Sequence, residues 1–263
     1  MILAAVLQLP SQGIGSAKID YYMRIAQNKG VKVILLGEYT LNPFFKELTT
    51  APISMIKEQS DYQINAIKNM AKTYDMTIVA PIILVKKKEC YKATMKCSPT
   101  SVSYYNQQVL ISYNHWNEKK FFANEESEIK APLIFKVEKT KFAIMNGYEL
   151  HFDKFFELIG KKNVDCILSP TTSTFDSNQR WQELIKMRSF THNCYILRAN
   201  RIGEYKEGEH IWKFYGDSIL TNPHGEVENH LGNSEELMIV QIDHKEVIQA
   251  KRDWHFNDVN KNN

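Results

Sequence analysis

The chain has 263 residues, 43% apolar and 24% charged, an ordinary composition for a folded protein and a length that can bury a substantial core. Lys and Arg number 33 against 30 Asp and Glu, a net charge of +3, too even a balance to point to nucleic acid or to an acidic membrane surface. The longest apolar run, residues 78–85, is eight long with Pro81 inside it, well short of the ~20 residues a membrane-crossing helix needs. Residues 1–9 lack the basic start and cleavage site of a secretory signal. The four cysteines, Cys90, Cys97, Cys166 and Cys194, form no CxxC pair and read as free thiols in a reducing cytoplasm. None of the eight histidines pairs with another at metal-ligand spacing, so no metal or other cofactor is expected.

In chain order, residues 2–9 read as a strand, 19–28 as a helix with Tyr22, Ile25 and Ala26 on one face, and 31–36 as a short buried strand ending at Gly37-Glu38. Residues 53–74 form a long amphipathic stretch: Ile64, Ile67 and Ala71 recur at helical spacing. Strands follow at 77–85, 91–95, 101–113, 133–137 and 142–146. Phe152, Phe155, Phe156 and Ile159 repeat at i, i+3, i+4 and i+7, which predicts a helix closed by Gly160. Residues 165–168 read as a strand. Asp176 with Gln179 resembles a capping box opening a helix to about His192. Strands at 194–199, 217–221 and 237–242 close the pattern, with a turn at 222–225. No repeat, low-complexity block or linker interrupts the chain, so we expect one domain over 1–263, flexible from about residue 256. The alternation predicts an α/β layered fold. On this pattern alone Glu38 reads more readily as a solvated loop acid than as a functional one.

Several segments taken together carry a resemblance. Val33-Ile34-Leu35-Leu36-Gly37-Glu38 resembles the hydrophobic strand and Pro-Glu of the nitrilase superfamily of carbon–nitrogen hydrolases, with Gly37 where proline is usual. Residues 143–152 resemble its nucleophile segment, a cysteine followed by an aromatic and an acid. Residues 164–170, 181–188, 193–201, Phe214-Tyr215-Gly216-Asp217-Ser218 and Asn222-Pro223-His224-Gly225 resemble later family segments, collinear to about residue 255. The resemblance implies a four-layer-type αββα sandwich that pairs into homodimers, and a Glu–Lys–Cys triad acting on small amides or carbamoyl compounds, as in β-ureidopropionase-type proteins. In such a triad a thiolate attacks the carbonyl, the glutamate moves protons, and the lysine with a backbone N–H holds the oxyanion.

Carried over residue by residue, the triad is incomplete. Glu38 takes the place of the base and Glu118, in Asn117-Glu118-Lys119-Lys120-Phe121-Phe122, that of the second acid. The nucleophile position, before Tyr148-Glu149, is Gly147, which has no side chain. The lysine position falls on His115, if Tyr113-Asn114-His115 stands for Tyr-Arg-Lys, or on Gln107, if Tyr105-Asn106-Gln107 does; we favour His115. Neither is lysine. Cys166 and Cys194 lie in apolar strands and read as small core residues, so neither is expected to replace the nucleophile.

We therefore expect Glu38, His115, Glu118 and Gly147 to converge, with Glu149, Gln107 and Tyr148 beside a small amide-like or amine ligand. Loss of a triad nucleophile costs on the order of a millionfold, so the expectation is a pseudoenzyme. Two alternatives stay open: an amide hydrolase with another nucleophile, and a non-catalytic regulatory partner of an active relative.

Overall fold

The computed structural model describes residues 1–13, 15–125 and 127–256; the expected tail lies almost wholly outside them. The strands are β1 (Ile2–Gln8), β2 (Val33–Leu36), β3 (Thr77–Lys86), β4 (Glu89–Cys97), β5 (Val102–Asn106), β6 (Ile134–Val137), β7 (Thr140–Ile144), β8 (Cys166–Pro170), β9 (Tyr195–Ala199), β10 (Ile202–Glu207), β11 (His210–Tyr215), β12 (Ile219–Thr221), β13 (Val227–His230) and β14 (Glu236–Ile242). The helices are α1 (Ala17–Asn28), α2 (Ile53–Thr73), α3 (Asp153–Gly160), α4 (Asn178–His192) and α5 (His244–Trp254).

Two six-stranded sheets form, in the orders β14-β1-β2-β3-β4-β5 and β13-β12-β9-β8-β7-β6. Each has three central parallel strands, β1-β2-β3 and β9-β8-β7, flanked by antiparallel ones. Period-2 alternation sorts the apolar side chains. Ala4, Val6, Val33 and Leu35 of the first sheet pack on Phe142, Ile144, Leu168 and Leu197 of the second. The other parity, Ala5, Leu7, Ile34 and Leu36, meets Ile19 and Met23 of α1 and Ile67 and Ala71 of α2. Ala143, Ile167 and Ile196 meet Phe155, Phe156 and Ile159 of α3 and Ile185 of α4. The result is helix, sheet, sheet, helix: the αββα sandwich expected.

Three local expectations are corrected. The strand expected over 101–113 ends at Asn106, because past it the Asn124 side chain takes the next ladder groups: the Lys92 N–H bonds Asn124 Oδ1 (2.8 Å) and the Gln107 carbonyl accepts from Asn124 Nδ2 (2.8 Å). Helix α4 starts from Ser177, not from an Asp176 capping box, and Ser177 makes no side-chain cap bond; its hydroxyl bonds the Thr174 carbonyl (2.9 Å) and Tyr215 Oη (3.0 Å) instead. Residues 202–215, unassigned from the sequence, pair as the β10–β11 hairpin about a two-residue loop with Gly208 at φ +61°, where glycine is favoured. Cys90, Cys97, Cys166 and Cys194 are free and buried. Among the described residues no helix is long and apolar enough to cross a membrane.

Candidate functional site

The first sheet supplies charge. β2 ends at Leu36, and Gly37 passes so close to the other sheet that a Cβ there would lie 3.0 Å from the Asn200 carbonyl carbon and 3.1 Å from Arg201 N. The Glu38 N–H then bonds the Thr171 carbonyl (3.0 Å) of the second sheet's loop. Tyr39 follows at φ +55°, a left-handed turn that costs a tyrosine about 1–3 kcal/mol and is held by burial of its ring.

Lys92, on β4, reaches the carboxylate of Glu38. Its Nζ lies 3.1 Å from Glu38 Oε1 and 2.6 Å from Glu118 Oε1, and the three side chains are at most 7% exposed. Glu118 also accepts from Tyr39 Oη (3.2 Å), Trp116 Nε1 (3.3 Å) and the Ile111 N–H (3.2 Å). Burial opposes the charge on Lys92, but the Glu118 and Glu38 carboxylates outweigh it and raise its pKa above the ordinary lysine value. Burial likewise pushes Glu38 up, against the pull of Lys92, to about 7. Glu38 thus sits where a proton can be taken or returned near neutrality.

The second sheet supplies the wall where the family's nucleophile would stand. β7 ends at Ile144, and Gly147 opens a single helical turn, Gly147–His151. A Cβ at Gly147 would meet Thr171 Cγ2 at 2.3 Å and Trp181 Cη2 at 3.3 Å. The methyl of Thr171 therefore occupies the space a side chain at 147 would need. Thr171 is fixed there because its hydroxyl bonds the Ala199 carbonyl (3.0 Å) and Asn200 Oδ1 (3.2 Å). Arg198, fully buried, donates to Ser173 Oγ (2.9 Å) and lies 4.8 Å from the Trp181 ring centre, bracing this wall from behind.

A cavity of about 470 Å³ opens between the halves, with Glu38 and Lys92 on one side and Gly147, Tyr148, Thr171 and Trp181 on the other. Glu38, Gly147 and Tyr148 thus meet as the sequence suggests, and Glu118 lies behind Lys92. The other candidates lie elsewhere. His115 is exposed and outside the cavity wall; its ring packs on Phe175 and Trp212 (5.3 and 6.1 Å). Gln107 is buried but turns its amide onto the Val109 carbonyl (2.8 Å). Glu149 is buried away from the cavity and clasps two loops, accepting from Tyr105 Oη (2.9 Å) and from the backbone N–H groups of Gln108 (2.8 Å) and Asn146 (2.9 Å). Burial raises it to about 7.

The ammonium missing from both sequence registers is Lys92. A signal for it existed. Ala93, Met95 and Cys97 are the apolar face of β4 that packs under the helices, which leaves Lys92 and Thr94 facing the second sheet. Thr94 donates to Asn146 Oδ1 across that gap (2.6 Å).

Solved structures share this fold. A carbon–nitrogen hydrolase from Helicobacter pylori superposes with a TM-score of 0.85 at 18% identity, covering 97% of this chain and 94% of that one. A cysteine-to-alanine mutant of the amidase from Nesterenkonia sp., in complex with butyramide, gives a TM-score of 0.78 at 17% identity over 97% and 96% of the two chains. In sequence, an N-carbamoylputrescine amidase from Oryza sativa is 20% identical over 96% of this chain and 89% of its own, and a hydrolase in the agr operon of Staphylococcus lugdunensis 23% identical over 87% and 94%. The carbon-nitrogen hydrolase family model matches residues 3–252. With nearly the whole chain matched and the sandwich in place, this protein belongs to the carbon–nitrogen hydrolase family.

Proposed function

We propose that this chain binds a small amide or carbamoyl compound and does not cleave it by the cysteine route of its family. The observation that carries this reading is Gly147 with the Thr171 methyl at 2.3 Å from its would-be Cβ, beside an intact, buried Glu38–Lys92–Glu118 set. An amide matches the charged side of the cavity. Its carbonyl oxygen accepts from the Lys92 ammonium and its N–H₂ donates to Glu38, while Glu118 holds Lys92 in place. Tyr148 lines the wall opposite. The cysteine-to-alanine mutant of the Nesterenkonia amidase is in complex with butyramide, so in that protein a missing thiol and a bound amide coexist. The same reading takes α3 and α4 as the faces of a homodimer, and the buried free thiols fit a cytoplasmic setting.

One observation favours a second reading, in which amides are turned over by another nucleophile. Thr172 lines the cavity, its Oγ1 is buried without a hydrogen-bond partner among the described residues, and its backbone N–H bonds the Glu38 carboxylate. Calorimetric titration with butyramide separates the two. The binding reading predicts a saturating isotherm with no sustained heat. Continuous heat of turnover, lost in both Glu38→Gln and Thr172→Val, establishes the second, and no binding heat at all overturns the first.

A further inference from the structure

The amide head accounts for only the floor of the cavity. At 470 Å³ the space suits a ligand much larger than a bare amide, and its upper wall is built from rings. Trp181, His151, Tyr148 and Tyr113 form an unbroken chain with centroids 5.2, 5.6 and 5.9 Å apart. Just outside the cavity, the His115 ring joins Tyr113 to Phe175, with centroids 5.7 and 5.3 Å away. His151 adds no charge to this collar. Its Nδ1 pairs with the Tyr148 carbonyl (3.0 Å), and burial together with the nearby Arg188 keeps its pKa below the ordinary histidine value.

Two further features point to what the collar holds. Phe175 is 50% exposed at the cavity mouth and adopts φ +58°. A bulky side chain in the left-handed region costs about 1–3 kcal/mol, and such strain clusters at sites where a ligand is clamped. The loop thus presents an aromatic ring to solvent in a conformation that glycine would take freely. Arg180, in the first turn of α4, lines the same mouth and, among the described residues, has no carboxylate or hydrogen-bond partner. An unpaired guanidinium there repels a cationic tail and tolerates a neutral or anionic one.

Building on the amide reading, we propose that the cavity selects amides whose far end is an aromatic ring without positive charge, and that Phe175 determines this specificity. The amide lies on Glu38 and Lys92, and the ring of the ligand packs among Tyr148, Trp181 and Phe175, where edge and offset contacts between rings add to the apolar burial.

Calorimetric titration of the full chain with four probes tests this: 3-phenylpropanamide, butyramide, N-carbamoylputrescine with its free amine, and 3-phenylpropan-1-ol, which has the ring and no amide. The expected order is 3-phenylpropanamide about tenfold tighter than butyramide, with N-carbamoylputrescine weakest of the three amides. Phe175→Gly, which the positive φ accommodates, is expected to shrink the preference for the aryl amide to under about threefold. Equal affinity for the aryl and alkyl amides, tighter binding of the cationic probe, or a preference intact in Phe175→Gly overturns the proposal. The alcohol binding as tightly as the aryl amide, with both weakened in Phe175→Gly, upholds ring selection by Phe175 and removes the amide reading. A Phe175→Gly chain that only loses self-association in sedimentation, with unchanged ligand affinities, makes the collar a subunit contact and overturns the proposal.

Discussion

The two walls of the cavity have diverged in opposite ways from the triad that the family resemblance implies. On the first sheet's side the carboxylate–ammonium–carboxylate set is whole, with the ammonium supplied by Lys92 of β4 and not by His115 or Gln107. On the second sheet's side position 147 offers no nucleophile: Gly147 has no side chain and the Thr171 methyl takes the space one would need. Charge can be restored from any strand whose side chain reaches the same point, because an ammonium on four methylenes is a flexible donor. A nucleophile must come within bonding reach of the carbonyl carbon, a tighter demand on its position than an ammonium meets. On the proposed reading, amide binding needs only the charged wall, whereas the cysteine route needs a side chain at position 147.

The largest expected effect breaks the charged wall. Lys92→Met leaves Glu38 and Glu118 buried together without a cation, and removing one partner of a buried ionic set costs about 3–5 kcal/mol. Urea denaturation at pH 7.5 should show a loss of that size, smaller at pH 5 where Glu38 binds a proton. A loss under about 1 kcal/mol would mean that the set is solvated and not part of a sealed wall.

The second effect probes the closed wall. Gly147→Ala forces a methyl against Thr171 and should destabilise by about 1–3 kcal/mol, the usual range for overpacking. Thr171→Ser deletes the interfering methyl and keeps the hydroxyl bonds to Ala199 and Asn200. In a double-mutant cycle the pair should therefore recover most of the loss. Additive effects would show that the two positions do not share this space.

The third concerns protons. Glu38 and Glu149 both stand at about 7 in the folded chain against an ordinary value of 4.5. Between these values the folded state binds protons that the unfolded state has released, so stability falls as pH rises. The contribution is full below about pH 4.5 and lost as pH passes about 7. The midpoint of thermal unfolding should accordingly decline over that window, and Glu38→Gln should flatten part of the slope. A midpoint rising across the window would contradict the assignment of raised carboxyls.

The smallest effect is on the clasp behind the cavity. Tyr105→Phe removes one donor from Glu149, leaving the two backbone N–H donors, and should cost about 1–2 kcal/mol, the range for a hydrogen bond to a carboxyl group. A loss of 3 kcal/mol or more would make Tyr105 the main support of that clasp.

Much of this was readable from residues alone, for physical reasons that vary along the chain. The parallel strands announce themselves through short unbroken apolar runs and α3 through a 3.6-residue pattern, as Val33–Leu36 and Phe152/Phe155/Phe156/Ile159 show. Glu38 and Gly147 are legible through the segments that resemble the family, each lying just past the end of a buried strand. Lys92 is not, because a lysine in a strand reads as solvent-facing unless the partner sheet is known. Its inward parity emerges only when Ala93, Met95 and Cys97 are placed under the helices. His115 is suggested by the resemblance of Tyr113-Asn114-His115 to Tyr-Arg-Lys, but the loop after β5 leaves it exposed and outside the cavity wall. Thr171 lay hidden in a run of polar residues whose packing against Gly147 depends on a contact between β8 and the turn after β7.

The central claim is that the charged wall is complete and that one backbone position alone is closed to chemistry. Ammonia release from butyramide, followed for the parent chain, Gly147→Cys, and Gly147→Cys with Thr171→Ser, tests it most directly. The Lys92 ammonium should favour the thiolate of an introduced cysteine, and removal of the Thr171 methyl makes room for it. The account predicts no release by the parent, little by the single variant, and measurable release by the double variant that disappears when Lys92→Met is added. Release by the parent itself, abolished by Glu38→Gln, would contradict it.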